Sequence, residues 1–361
     1  QNIYNECFSE QGIVYISDAD AKKLENVDVK EDDVLINITG DSVARVSLPN
    51  KKYLPARVNQ HVSILRANPE KLDFKFLKYV LVEKSMQEYL LTLASSGATR
   101  NALTKAMLEN IEIDLPSLND QKRISNFLSK FDEKIQINTQ INQTLEQIAQ
   151  ALFKSWFVDF DPVRAKVQAF SDGMSLEQAE LAAMQAISGK TPEELTALSQ
   201  TQPDRYAELA ETAKAFPCEM VEVDGVEVPK GWEVKRIEEV IKKIPVGKKY
   251  SSKTAFSEGL VPILDQGRSG VIGYHNDEPG VKASIEDPII VFANHTCYMR
   301  LISYDFSAIQ NVFAFKGKEC DVFWVYLATL GKQEFVEYKG HFPDFLIKEI
   351  IVPPKKLTAL F

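Results

Sequence analysis

The residues that most often do chemistry in proteins are present in this sequence, but their spacing forms no recognisable catalytic or metal-binding motif. The chain has four histidines and four cysteines, which are His61, His275, His295, His341, Cys7, Cys218, Cys297 and Cys320. They lie far apart, none forms a CxxC pair, and they assemble into no Ser/His/Asp or Cys/His arrangement. We therefore expect no metal site, and we predict no cofactor.

Two short segments come nearer to enzyme motifs, and neither completes one. Adenine methyltransferases hold a flipped base with a [DN]PP[YF] loop, whereas IVPP at residues 351–354 lacks both the leading Asp or Asn and the following aromatic residue. Pro203-Asp204 with Glu233-Val234-Lys235 resembles a nuclease pattern that is short enough to arise by chance. The sequence therefore predicts a chain that is not an enzyme by itself.

Bulk properties narrow the class further. A chain of 361 residues is longer than a typical domain with a single hydrophobic core, so we expect at least two domains. No apolar run reaches the length of a membrane span, and the scattered cysteines are typical of a reducing compartment, here the cytoplasm. The formal net charge of -9 weighs against simple binding to nucleic acid by the chain alone, because such proteins usually have a basic balance. A local basic surface stays compatible with that charge.

Two mixed segments of strand and helix must position any site. The predicted elements of the first are strands DVLINIT (33–39), VNQHVSILRA (58–67) and ENIEIDLP (109–116), with a helix over 74–94 that Asp73 caps. Those of the second are strands DPIIVFAN (287–294), AIQNVFAFK (308–316) and EIIVPP (349–354), with a helix over 323–338. In both segments the order is strand, helix and closing strand.

The two segments are also similar residue by residue. NQHVSILR aligns with IQNVFAFK, GATRNAL with GHFPDFL, and IEIDLP with EIIVPP. An internal repeat of this kind indicates two domains of one topology. We predict that Asn59 is equivalent to Ile309 and that Gly97 is equivalent to Gly340.

Residues 121–157, between the two segments, contain neither Gly nor Pro. Their apolar and amide residues alternate at spacings of four and three, which is a heptad pattern: Ile124, Leu128, Phe131, Ile135, Asn138, Asn142, Leu145, Ala149, Leu152 and Trp156. A helix of this length would extend roughly 55 Å at about 1.5 Å per residue. We therefore predict a coiled-coil-like spacer that stops near Asp161-Pro162. Residues 166–217 follow as short helices with capping boxes at Ser175 and Thr191.

The predicted fold class is α+β, with two similar mixed α/β domains separated by a long coiled-coil-like helix. The predicted parts are a first domain (1–118), the spacer helix (119–165), a helical linker (166–217), a second domain (218–354) and the start of a second spacer helix (355–361). The first domain has no counterpart of PKGWEV, which opens the second. We therefore expect an N-terminal start and a distal helix to be missing from this chain.

With these features, the chain resembles the specificity subunits of type I restriction–modification enzymes. The segments behind the resemblance are ITGDSVARV (38–46), VNQHV (58–62), GATRNALT (97–104), FP followed by PKGWEV, and above all the run from LPSLNDQKRIS to FVDFDPVRAK (115–166). The second domain departs from the pattern, because ANHTCYMRL (293–301) replaces the ITGxS form. The resemblance covers nearly the whole chain.

The resemblance implies a non-catalytic subunit that reads a bipartite target in double-stranded DNA. It also implies partners, namely two methyltransferase subunits and restriction subunits, and no membrane. Candidate DNA-binding residues are polar or basic residues in loops that flank the strands: Thr39, Asp41, Ser42, Arg45, Arg57, Thr99, Arg100, Gln266, Arg268, Ser269, Asn294, His295, Arg300, Lys339 and His341. Arg and Lys suit guanine edges or phosphates, and Asn and Gln suit adenine.

An aromatic cluster near the end of the long helix is the second candidate site. We expect Phe131, Phe153, Trp156, Phe157 and Phe160 to contact a methyltransferase subunit or to pack the helix end against a partner helix, since aromatics are enriched both in cores and in interfaces. Two alternatives for the whole chain stay open. One is a mimic that binds the methyltransferase without reading DNA, and the other is the specificity part of a fused restriction enzyme.

Overall fold

The computed structural model describes residues 2–5, 8, 10, 12–95, 101–223, 225–267, 270–334 and 340–361. They form two compact units, Gln1–Gln143 and Thr144–Phe361. No helix in these ranges is long and apolar enough to cross a membrane. The unit boundary lies inside the long helix, so the finer domain limits inferred from the sequence remain a prediction.

The first unit combines a small antiparallel sheet with helices. Its strands are β1 (Asp28–Val29), β2 (Asp33–Asn37), β3 (Val46–Ser47), β4 (Ala56–Arg57) and β5 (Val62–Arg66). Its helices are α1 (Asp18–Lys23), α2 (Phe74–Val82), α3 (Lys84–Ser95), α4 (Lys105–Glu109) and the beginning of α5 (Leu118–Phe157), with short 3₁₀ turns at Glu25–Val27 and Lys51–Tyr53. The predicted single helix over 74–94 is thus two helices, with extended backbone at Glu83 between them.

The core of the first unit lies under β2, every residue of which is buried. Strand order is β3-β2-β5, and β2 runs antiparallel to both neighbours. Asp33 is buried at the start of β2, and Arg66 across the ladder binds its two carboxylate oxygens through Nε at 2.6 Å and Nη2 at 2.7 Å. A bidentate pair of this kind satisfies the buried charge and fixes the strand register.

Helix α5 is attached to the first unit at its start by one buried amide. Gln121 accepts a hydrogen bond from the Asp73 backbone N–H at 2.9 Å and donates to the carbonyls of Lys71 and Pro116. Three turns later, Asp132 accepts hydrogen bonds from Lys78 Nζ at 2.9 Å and from the Tyr79 hydroxyl at 2.7 Å. Burial and this carboxylate raise the pKa of the Tyr79 phenol.

The second unit begins with the end of α5 and a group of helices. These are α6 (Asp161–Ser171), α7 (Leu176–Ser188), α8 (Pro192–Thr201) and α9 (Pro203–Ala215). The predicted capping boxes are confirmed, because Ser175 and Thr191 each accept from the N3 backbone N–H while the N3 side chain accepts from the cap residue. Buried Lys166 donates from Nζ to the Phe216 carbonyl at 2.7 Å, which ties α6 to the end of α9.

Strands make up most of the remainder of the second unit. They are β6 (Met220–Val223), β7 (Val226–Pro229), β8 (Glu233–Arg236), β9 (Ile241–Ile244), β10 (Lys249–Tyr250), β11 (Val261–Leu264), β12 (Val271–His275), β13 (Ile289–Ala293), β14 (Met299–Ile302), β15 (Ser307–Ile309), β16 (Val312–Gly317) and β17 (Glu349–Val352). Short helices are α10 (Ile237–Val240), α11 (Val322–Thr329), α12 (Phe342–Leu346) and α13 (Lys355–Leu360). The central sheet has the order β14-β13-β16-β9, with β13 buried throughout.

The three-stranded sheet of the first unit, β3-β2-β5, matches three of the four strands of the central sheet of the second, β14-β13-β16. In both units, the residue after the buried central strand donates its N–H to a carbonyl in the turn that precedes β5 or β16. The Ile38 N–H donates to the His61 carbonyl, and the Asn294 N–H donates to the Asn311 carbonyl, each at 2.9 Å. His61 and Asn311 are therefore equivalent. The same offset relates Asn59 to Ile309, as the repeat predicts.

Three further hydrogen bonds repeat around the same loop. Ala44 donates to the Asn37 carbonyl and Cys297 to the Ala293 carbonyl, both at 2.9 Å. Ala44 and Cys297 also share a positive φ, 69° and 56°. The Asn37 N–H bonds to the Arg45 carbonyl as the Ala293 N–H bonds to that of Tyr298, and the Leu103 N–H bonds to the Ile38 carbonyl as that of His341 bonds to Asn294. The predicted fold class, with two similar mixed units and one long helix, is confirmed.

The C-terminal part of the repeat aligns differently from the sequence motif. Leu103 occupies the place of His341, so it precedes its short helix α4, whereas Leu346 ends α12. The shared Gly-x5-Leu spacing therefore does not mark equivalent leucines. Gly97 lies outside the described residues.

Candidate nucleic-acid interface

The buried central strand of each unit ends at a loop that holds two polar side chains side by side. In the first unit, Thr39 Oγ1 lies 2.6 Å from His61 Nδ1, in an exposed position. In the second, His295 Nε2 lies 3.0 Å from Asn311 Nδ2. Because Thr39 and His295 each follow the residue that bonds to the turn, the two pairs are structurally equivalent.

The loop after Thr39 presents more of the predicted first-unit residues. Asp41 is exposed, and Ser42 and Arg45 are half-buried. The Arg45 guanidinium stacks 4.8 Å from the centre of the Tyr4 ring. All three residues lie between Thr39 and His61 in the sequence, and each is at least partly exposed.

Arg57 has a structural role that its sequence context did not reveal. It forms an ion pair with Asp28 across the β1–β4 ladder and donates from Nε to the Ala21 carbonyl at 3.2 Å. Only 15% of its side chain is exposed. Its Nε and Nη1 donors thus hold α1 and β1, and a contact between Arg57 and a base stays a prediction.

In the second unit, Gln266 approaches the equivalent loop from the segment after β11. Its Oε1 accepts a hydrogen bond from the His295 backbone N–H at 2.9 Å. Arg300 lies next to it on β14, stacks 5.3 Å from the centre of the Tyr298 ring and donates from Nη2 to the Asp265 carbonyl. Gln266, His295 and Arg300 are therefore brought together as predicted candidates, and all three are half-buried.

Two predicted second-unit residues are buried in the framework of the loop. Asn294 is 8% exposed, and its Oδ1 accepts from the Phe342 N–H at 2.9 Å, which ties the loop to the start of α12. His341 is 2% exposed and donates its backbone N–H to the Asn294 carbonyl. Both were expected to contact DNA. That expectation is corrected, because neither side chain reaches the surface.

The remaining predicted positions are Thr99, Arg100, Arg268, Ser269 and Lys339, which lie outside the described residues. Sequence reasoning missed His61 and Asn311, together with exposed Gln60 and Gln310 on the same turns. The aligned triplets NQH and IQN contain the signal, because they pair His61 with Asn311 and Gln60 with Gln310.

Four of the five predicted partner-binding residues are core residues of the second unit. Phe153, Trp156, Phe157 and Phe160 are buried against Phe216, Trp232, Trp324 and Phe361. The expectation that these four face another subunit is corrected, because aromatic rings of this chain already cover them. Phe131 differs: it is 54% exposed and meets only Phe127 edge-on among the described rings.

A second polar cluster, in the sheet β10-β15-β11-β12, is structural. Buried His275 lies between the Tyr250 hydroxyl and the Ser307 hydroxyl, at 3.2 Å and 2.9 Å, and stacks on the Tyr250 ring. Burial lowers the pKa of the imidazole, while Lys248 and the Tyr250 hydroxyl lower that of Asp277. The cluster joins three strands. Among the described residues no group of histidine, cysteine and acidic side chains could hold a metal ion.

Comparison with known proteins gives a family match for the N-terminal part of the chain. Residues 3–147 match the family model described as the type I restriction modification DNA specificity domain. A 172-residue stretch, 46% of this chain, is 63% identical to the type I restriction enzyme HindI specificity subunit of Haemophilus influenzae and covers 38% of that protein. A 103-residue stretch is 37% identical to the MjaIX specificity subunit of Methanocaldococcus jannaschii, covering 28% of this chain and 24% of that one. The aligned parts thus span well under half of the length of these relatives.

Among solved structures, the chain is similar to the S subunit of a type I restriction–modification system from M. genitalium. That likeness has a TM-score of 0.43 and 19% identity, over 92% of this chain and 75% of that chain. The sequence matches give the relationship independently of it. Over the matched parts, the chain is therefore similar to the specificity subunits of type I restriction–modification enzymes.

Proposed function

We propose that this chain is the DNA-recognition subunit of a type I restriction–modification complex and that it reads a bipartite target, one half with each unit. The supporting observation is the loop framework that recurs in the two units, with four matching backbone hydrogen bonds and an equivalent pair of polar side chains. Two similar modules in one chain suit a target with two half-sites, as paired half-sites suit dimeric binders.

The proposal includes a scaffolding role for α5 toward methyltransferase and restriction subunits. Apolar side chains are exposed along much of this helix: Ile124, Phe127, Phe131, Ile135, Ile137, Ile141, Leu145, Ile148 and Leu152. Contiguous exposed apolar side chains of this extent are typical of an interaction surface. They also form more than the narrow seam that one helical partner would cover, since Phe127, Ile141 and Ile148 flank the heptad positions.

Methylation mapping across the genome of cells that express the chain with its methyltransferase subunit tests the proposal. We expect one bipartite methylated motif that disappears when the chain is deleted. Exchanging residues 1–116 for those of a relative should change one half of the motif and leave the other half intact.

A methyltransferase that binds the chain and yet methylates no defined motif would contradict the reading role. It would favour the alternative of a mimic that occupies the methyltransferase without recognising DNA. A change in both halves after the exchange would contradict independent half-site reading.

A further inference from the structure

Each unit places its polar pair with the same backbone hydrogen bonds but fills the two positions with different side chains. The Ile38 N–H to His61 carbonyl bond fixes Thr39 beside His61, and the Asn294 N–H to Asn311 carbonyl bond fixes His295 beside Asn311. The resulting contacts are 2.6 Å between Thr39 Oγ1 and His61 Nδ1, and 3.0 Å between His295 Nε2 and Asn311 Nδ2. The backbone hydrogen bonds are therefore the same in the two units, whereas the side chains of the polar pair differ.

One position on the turn next to each pair is the same in both units. Gln60 precedes His61 and Gln310 precedes Asn311, and both glutamines are exposed. Gln60 Nε2 lies 3.2 Å from His61 Nε2, so the glutamine borders its pair. The two units thus share the outward amide and differ in the pair behind it.

Side chains that are identical in the two units cannot make one unit prefer a different half-site from the other. Side chains that differ between the units can. An exposed amide suits a phosphate or sugar oxygen, which every sequence presents. A hydroxyl–imidazole pair and an imidazole–amide pair offer different sets of donors and acceptors to a base edge, and an amide can bind adenine through two hydrogen bonds.

Resting on the proposed function, we infer that Thr39–His61 and His295–Asn311 determine the base preference of their units, and that Gln60 and Gln310 supply the contact common to both. The ligand at each pair is a base edge of duplex DNA. The ligand at each glutamine is the sugar-phosphate backbone.

The test uses the full chain assembled with its methyltransferase subunit and a pool of random-sequence duplexes selected by binding. His61→Asn places the second-unit residue in the first unit on an exposed turn. Asn311→Gly removes the second-unit amide while tolerating the φ of 64° at that position. Gln60→Ala and Gln310→Ala are the matched controls on the same two turns. Thermal unfolding verifies that each variant is folded.

Each pair variant should change base preference by about tenfold at one or two positions in one half-site and leave the other half unchanged. Each glutamine variant should weaken binding to all sequences by about fivefold to tenfold without changing preference. A uniform loss, or no change, in folded pair variants would overturn the inference, and so would a preference change in the glutamine variants. A wild-type complex with no sequence preference would instead refute the proposed function, before any variant is compared.

Discussion

Phe157 offers a direct test of whether the aromatic end of α5 is core or docking surface. Its side chain is 3% exposed, with ring centres 5.0 Å from Phe153, 5.8 Å from Trp232 and 5.4 Å from Phe361. Phe→Ala substitutions in such sites cost about 3–5 kcal/mol, because the apolar contacts are lost and a cavity remains. We expect Phe157→Ala to lower the free energy of unfolding of the second unit by that amount.

The chain provides its own reporter for this measurement. Its three tryptophans are Trp156, Trp232 and Trp324, all in the second unit and all in this cluster. Urea unfolding followed by tryptophan fluorescence therefore reports on this core and not on the first unit. With a urea dependence of about 3 kcal/mol/M, the transition midpoint should fall by roughly 1 M or more.

Phe131→Ala is the matched control on the same helix, because that ring is 54% exposed and, among the described rings, contacts Phe127 alone, at 5.2 Å. It should change stability by less than about 1 kcal/mol. If α5 binds the methyltransferase subunit, the same control should weaken that complex. An unchanged midpoint for Phe157→Ala would refute the assignment of this cluster to the core.

Three further perturbations test the framework around the sites. Gln121→Ala removes three hydrogen bonds at about 1 kcal/mol each, so hydrogen exchange of β2 should show the first unit destabilised by about 2–3 kcal/mol. Arg66→Lys keeps the charge opposite buried Asp33 but loses the planar fork, and the same assay should give a loss of about 1–2 kcal/mol. Burial lowers the pKa of His275, so near pH 6 the unfolded state binds more protons than the folded state. The stability that depends on a neutral His275 is therefore fully present above about pH 6.5 and is lost as the pH falls below that value. Fluorescence-monitored unfolding at pH 7 and pH 5 should show a smaller difference for His275→Gln than for the wild type.

The sequence correctly predicted features that depend on residues close together in the chain, such as helix caps. The Asp73 cap is confirmed, with the Phe76 N–H bonded to its carboxylate at 2.8 Å, and the capping boxes depend on residues only three apart. The strand predicted at 109–116 is wrong: residues 111–116 pair with no strand among the described residues. Its counterpart β17 is a strand because β8 pairs with it, and a strand forms only where a partner ladder exists. Pairing partners distant in sequence are what pattern reading cannot supply.

The candidate DNA-binding residues show the same limit, because their partners are distant in the sequence. Residue type alone makes Asn294, His341 and Arg57 as good candidates for DNA contact as Thr39 and His295, since all are polar and lie beside strands. Only the hydrogen bonds distinguish them. Asn294 accepts from the Phe342 N–H at the start of α12 and Arg57 pairs with Asp28, while Thr39 and His295 contact His61 and Asn311. The aromatic cluster was ambiguous for a comparable reason: cores and interfaces select the same rings.

The acidic net charge is distributed unevenly, which alters what it implies about DNA. The helical segment 166–217 contains eight acidic and four basic residues, so it contributes -4 of the total of -9. Segments 1–118 and 218–361 have net charges of only -3 and -2. Attraction or repulsion of phosphates acts over about 10 Å at moderate salt, so charge near the reading loops matters more than the total. The net charge of -9 for the whole chain is therefore a poor measure of the charge near the two polar pairs.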